Sequence, residues 1–172
     1  MVRARGTIQS PVLVGRDSFL TLIEDRLAGA AAREGGLLFV AGEAGIGKTR
    51  LLSAVARGAE ASGFAAVRAA AFPDDVQSLA GLLLDLAGHL LSAREPALSE
   101  LGRSLTSRVR AISGAAGDAH HRRRVLVQDL ADLLITADPG TPVLIILEDL
   151  HWADELSLDA VSYTHLTLPT KA

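Results

Sequence analysis

The sequence predicts an α/β fold, a parallel sheet covered by helices on both faces, and three observations carry that expectation. Two short aliphatic runs, Leu37–Ala41 and Val143–Leu147, are bounded by glycine or proline and read as strands buried on both faces. Longer stretches between them repeat apolar residues at helical spacing. Strand and helix signals alternate along the chain, which favours parallel pairing with crossover helices.

Residues 1–13 form an irregular leader. From Asp17 to about Arg33, Phe19, Leu20, Leu22, Ile23, Leu27 and Ala30 recur on one helical face, with Asp17 or Ser18 as N-cap. Gly35-Gly36 ends that helix and the Leu37–Ala41 strand follows. After a glycine-rich turn, a second helix runs from about Lys48 to Ala61, where Ser62-Gly63 stops it. Phe64 to Phe72 reads as a strand with Val67 inside, ended by Pro73, and Asp74-Asp75 as a turn and helix cap. The middle of the chain, about 76–137, is helical. Leu79, Leu82, Leu83, Leu86, Leu90 and Leu91 make one apolar face, and Val125, Leu126, Leu130, Leu133 and Leu134 make another. A weaker helix spans Pro96 to Ile112, Ser113–Ala119 is a small-residue linker, and Asp138-Pro139-Gly140-Thr141-Pro142 introduces the strand Val143–Leu147.

Composition narrows the function classes. At 172 residues with 49% hydrophobics the chain can bury a real core and is not disordered. A net charge of −3 disfavours a wholesale nucleic-acid binder. Zero cysteines remove disulfides, thiolate metal sites and cysteine nucleophiles. No apolar run approaches the roughly 20 residues of a membrane span, and no signal peptide is evident, so a cytoplasmic location is expected. Arg outnumbers Lys 15 to 2, the bias of a GC-rich coding sequence, which makes Lys48 informative.

Lys48 lies in Gly42-Glu43-Ala44-Gly45-Ile46-Gly47-Lys48-Thr49, a full match to G-x-x-x-x-G-K-[ST] between a predicted strand and a predicted helix. About 0.002 such matches are expected by chance at these residue frequencies, so phosphate binding is favoured over a solvated glycine turn. Glycines let successive backbone N–H groups point inward as an anion nest, and the helix N-terminus adds positive potential. Lys48 supplies a charge for the β- and γ-phosphates, and the Thr49 hydroxyl suits Mg²⁺. Arg50 either approaches phosphate or sits exposed on the helix, and the sequence does not choose. Two acids, Glu148 and Asp149, end the last strand. Ligands of open parallel sheets gather at the carboxyl ends of strands, so these acids are expected to meet the phosphate loop. Glu148 would contact Mg²⁺ and Asp149 would polarise the attacking water.

With these residues in place, the sequence resembles the AAA-type ATPase domain of the STAND class of signal-transduction ATPases. Three stretches carry the resemblance, over about residues 12–160: Val14-Gly15-Arg16 ahead of an amphipathic helix, Gly42 to Leu52 with its phosphate loop, and Leu147-Glu148-Asp149-Leu150-His151-Trp152-Ala153-Asp154. The resemblance implies a P-loop NTPase three-layer sandwich, incomplete here and represented by its N-terminal part, with residues 14–160 as a partial ATPase domain. It implies ATP and ADP as ligands with Mg²⁺, and Val14, Gly15 and Arg16 near the adenine. Such domains commonly open large bacterial LuxR-type transcriptional regulators, or stand beside nucleotide cyclase or kinase domains, and act as switches more than as fast hydrolases. DNA would then be reached only through further domains, and self-association would run through the ATPase domain. An origin-recognition-like ATPase acting on DNA is the alternative. Many members carry two Asp where this chain has Glu148-Asp149, which leaves open which acid is the main metal ligand.

In the family's sheet, the strand after the acidic one lies between the strands ending at Ala41 and Leu147. A chain without it is expected to expose apolar edges and hydrolyse little ATP. Residues 161–172 hold the single Tyr and three of nine Thr, resemble translated adapter sequence, and are expected to be a non-native tail. His151 and Trp152 either couple the acidic strand end to partner contacts or serve in packing. His120-His121-Arg122-Arg123-Arg124 reads as a solvated basic helix start.

Overall fold

A computed structural model describes residues 17–113 and 140–167 and, between them, 125, 127–129 and 132. The leader, Val14-Gly15-Arg16, the linker after Ser113, the basic cluster at 120–124, Leu126, Leu130, Leu133, Leu134 and residues 168–172 lie outside them. The elements whose bounds lie within the described residues are, in order, α1 (Asp17–Ala31), α2 (Lys48–Ala61), β1 (Ala65–Ala70), α3 (Gly81–Leu91), α4 (Pro96–Ser113), β2 (Val143–Glu148) and α5 (Glu155–Thr167). Short 3₁₀ turns occupy Pro73–Gln77 and Leu150–Trp152.

The two strands pair in parallel, from Ala65 opposite Val143 to Ala70 opposite Glu148. Successive strand residues face opposite sides of a sheet, and this one divides accordingly. Val67 and Ala69 of β1 are buried with the leucines of α3 and α4, and Val143, Ile145 and Leu147 of β2 pack on the same cluster. Leu144, of opposite parity, packs instead on Ile23 of α1 and Leu51 and Val55 of α2. The result is a mixed α/β fold in which helices flank a small parallel sheet.

The larger core lies between the sheet and α3, α4 and α5. Leu82, Leu83, Leu86 and Leu90 of α3 meet Leu98, Leu101, Leu105 and Val109 of α4. Gly102 allows this approach, because a Cβ there would lie 2.8 Å from both Ala87 O and Leu91 N. Leu79 and Leu91, assigned to the same face by periodicity, are exposed. So are Phe19 and Leu22 of α1, whose Ile23 carries the burial. Val125 is exposed as well, and it is Val127 that enters the core. In α1 and around α3 the stripe that packs is narrower than the apolar pattern, since one neighbouring element covers only part of it.

One expected strand is absent from the sheet. Leu37–Ala41 lies outside the β1–β2 sheet, and Leu38 and Phe39 are exposed at 40% and 60%. A strand exists through its ladder bonds, and among the described residues β1 is the one neighbour of β2 in the sheet. Leu37–Ala41 and β2 instead face a common cleft of about 1920 Å³. At the other end of the chain, α5 continues without interruption past Ala160, and Tyr163 packs on the core.

Candidate functional site

The cleft is built where a loop turns into α2. Gly45 and Gly47 adopt φ of 78° and 95°, a left-handed backbone open to glycine at little cost, and they swing the chain into the helix. Gly47 caps α2 with no side-chain hydrogen bond, and the first turn contains no acidic residue. The N-terminal N–H groups and their positive potential therefore meet no neutralising side chain there. Lys48 bends back over its own loop, and Nζ donates to Gly42 O at 2.8 Å and Glu43 O at 3.0 Å. Its ammonium thus lies on the loop itself. Thr49 is exposed at the helix start, with its carbonyl accepting from Ser53 Oγ at 2.7 Å.

Strand β2 delivers the acids. Glu148 closes the strand, and the backbone turns sharply at Asp149, whose φ of 56° is left-handed. A non-glycine residue there is strained, with Asp among the better tolerated, and such strain recurs at functional sites. The Asp149 residue is exposed, whereas the Glu148 side chain is 17% exposed and ion-paired with Arg68 of β1 at 2.6 Å. The following 3₁₀ turn carries His151 and Trp152, both exposed, with ring centroids 4.8 Å apart. Trp152 is therefore no buried packing anchor.

Gly42, Ala44, Gly45, Gly47, Lys48, Thr49 and Arg50 line the same cleft as Glu148, Asp149 and His151. Two segments a hundred positions apart in the chain thus share one concavity. Of the residues singled out in the loop, Glu43 and Ile46 do not line it. Ile46 lies over Gly42 instead, its Cγ2 3.3 Å from where a Cβ on that glycine would be. Val14, Gly15 and Arg16 fall outside the described residues. The donor set suits a phosphate: a primary ammonium, an uncapped helix N-terminus and glycines whose added Cβ would meet nothing within 4 Å at positions 45 and 47.

Two polar residues have roles that the sequence reading did not assign. Arg68, the one charge in the strand Ala65–Ala70, spans from Glu148 to Ser53 Oγ, 3.0 Å away on α2. Asp154 is 3% exposed, and its Oδ1 accepts from Ala80 N at 3.1 Å and Ser157 N at 3.0 Å. Its Oδ2 accepts from Ser157 Oγ at 2.7 Å. A charge inside an Ala/Val strand, and an Asp three residues before a Ser at a helix start, were the available signals.

No helix among the described residues is long and apolar enough to cross a membrane. No curated protein and no solved structure matches the chain. A family model described as the AAA ATPase domain does match it, over residues 12–171, nearly its full length. The chain therefore belongs to the AAA ATPase domain family.

Proposed function

We propose that the cleft binds ATP or ADP together with Mg²⁺, and that the domain serves as the nucleotide switch of a bacterial signalling or transcriptional regulator of the STAND class. One observation carries the proposal: the Gly42–Thr49 loop and the Glu148–Asp149 strand end line one cleft. Membership of the AAA ATPase domain family supports it.

In this reading the residues divide the work. The backbone N–H groups of the loop and of the α2 N-terminus bind the phosphates. Lys48 swings its ammonium from the Gly42 and Glu43 carbonyls onto the β- and γ-phosphates. Thr49 and Glu148 would hold the cation. Among the described residues no three His, Asp or Glu side chains gather as a metal site. When bound, Mg²⁺ neutralises phosphate charge. Asp149, exposed at the strand end, would polarise a water aimed at the γ-phosphate. Val14-Gly15-Arg16 would border the adenine, and Arg50 would sit beside the phosphates. Further domains of a longer protein would contact DNA.

Thermal unfolding tests the proposal. A ligand that binds only the folded chain at a hundredfold excess over its Kd adds about 2.7 kcal/mol of stability. For a domain of this size that raises Tm by roughly 5–10 °C. Mg–ATP and Mg–ADP are both expected to produce the rise, and AMP, lacking the β-phosphate, is not. No shift with either nucleotide at millimolar concentration would count against nucleotide binding.

A further inference from the structure

The carboxylate assigned above to the cation is already engaged. Arg68 Nη2 lies 2.6 Å from Glu148 Oε1, and Arg68 Nη1 donates to Ser53 Oγ at 3.0 Å. Ser53 Oγ in turn donates to the Thr49 carbonyl at 2.7 Å. A continuous chain of hydrogen bonds therefore runs from the residue at the start of the phosphate-loop helix, through Arg68, to the acid at the end of β2. Register explains the reach: Arg68 stands opposite Ile146 and Ala70 opposite Glu148, so Arg68 and Glu148 sit two positions apart on adjacent parallel strands and face the same side. Ala66 and Ala70, the same-face neighbours of Arg68 along β1, leave the guanidinium room to extend.

Charge decides what this contact does. A divalent cation is drawn to Glu148 by the negative carboxylate, and a guanidinium within hydrogen-bond distance cancels much of that charge. The pair is partly shielded from water, with side-chain exposures of 36% for Arg68 and 17% for Glu148, so solvent screens it incompletely. A competing cation, or a movement of β1 against β2, would release the carboxylate.

We propose that Arg68 is a positioning residue that competes with Mg²⁺ for Glu148 and so sets the Mg²⁺ concentration at which the domain holds its nucleotide. The inference rests on the nucleotide–Mg²⁺ reading of the cleft. Engagement of the cation trades the Arg68–Glu148 contact for one to the metal. The freed guanidinium then remains tied to α2 through Ser53 alone, which couples cation binding to the strand–helix packing behind the phosphate loop.

The test is calorimetric titration of ATP into the wild-type chain and Arg68→Ala over a series of Mg²⁺ concentrations, with EDTA as the metal-free baseline for each protein. Loss of the competing guanidinium is expected to lower the Mg²⁺ midpoint about three- to tenfold. In a Glu148→Gln background the same Arg68→Ala change is expected to leave the midpoint where it was. If Arg68→Ala does not fold by circular dichroism, Arg68→Lys carries the test: it keeps the charge, loses the planar fork, and is expected to give a smaller drop in the same direction. A purely structural Arg68 would weaken ATP binding equally with and without Mg²⁺. A midpoint that stays or rises in a folded variant, or a drop that persists without the Glu148 carboxylate, overturns the proposal while leaving nucleotide binding intact. A wild-type chain that binds no ATP under either condition removes the nucleotide reading itself, and this inference with it.

Discussion

Lys48→Ala is expected to weaken ATP binding by about 10- to 100-fold while leaving the fold in place. The factor follows from losing one charge-assisted contact to phosphate, worth about 1.5–3 kcal/mol. Lys48 is half-exposed and hydrogen-bonds only backbone carbonyls of its own loop. Removing it leaves Gly42 O and Glu43 O able to bond water, so the stability change should stay within about 0.5 kcal/mol. Lys48→Arg is expected to recover little of the affinity, since a planar fork does not reproduce a compact ammonium on a flexible stem. Calorimetric titration with ATP, beside a urea melt of each variant, separates the two effects. Equal ATP affinity in the wild type and Lys48→Ala would remove the lysine from the binding site.

Asp154→Ala is expected to destabilise the folded chain by about 2–4 kcal/mol, read from the urea midpoint at constant slope. The carboxyl accepts three hydrogen bonds in a site closed to water, two of them from Ser157 at the start of α5. The third comes from Ala80, itself fully buried and held at a φ of 66°. Alanine would lose a helix cap and leave the Ala80 and Ser157 N–H groups without acceptors, and the two losses together give the range. Asp154→Asn keeps one carbonyl acceptor and is expected to cost about half as much. The residue lies five positions beyond Asp149, so it holds the chain leaving the acidic strand end against the start of α3. A change within about 0.5 kcal/mol for Asp154→Ala would show that the three bonds contribute nothing net.

Much of this was legible in the sequence because the signals are local. Helix α2 runs from Lys48 to Ala61 as the loop and Ser62-Gly63 predict, and Gly63 takes the left-handed φ of 86° expected at a helix end. Strand β2 coincides with the aliphatic run from Val143 and extends one residue, to Glu148. What the sequence could not supply was pairing. Leu37–Ala41 has the composition of a buried strand, yet it does not join the β1–β2 sheet, and composition says nothing of whether a strand stands alongside in register. Arg68 and Asp154 were missed for the same reason, because their roles depend on Glu148, Ser53 and Ala80, distant in sequence and adjacent in space. Helix faces were overestimated at Phe19, Leu22, Leu79 and Leu91, where periodicity marks a stripe but not the width its neighbour covers.

The central claim is that one nucleotide engages the phosphate loop and the acidic strand end together. Amide hydrogen exchange of the wild-type chain, with and without saturating Mg–ATP, tests it most directly. Slowed exchange in peptides covering Gly42–Thr49 and in those covering Glu148–Asp149, over the same ATP range, is the result expected. Protection of only one of the two segments, or of neither, would contradict it.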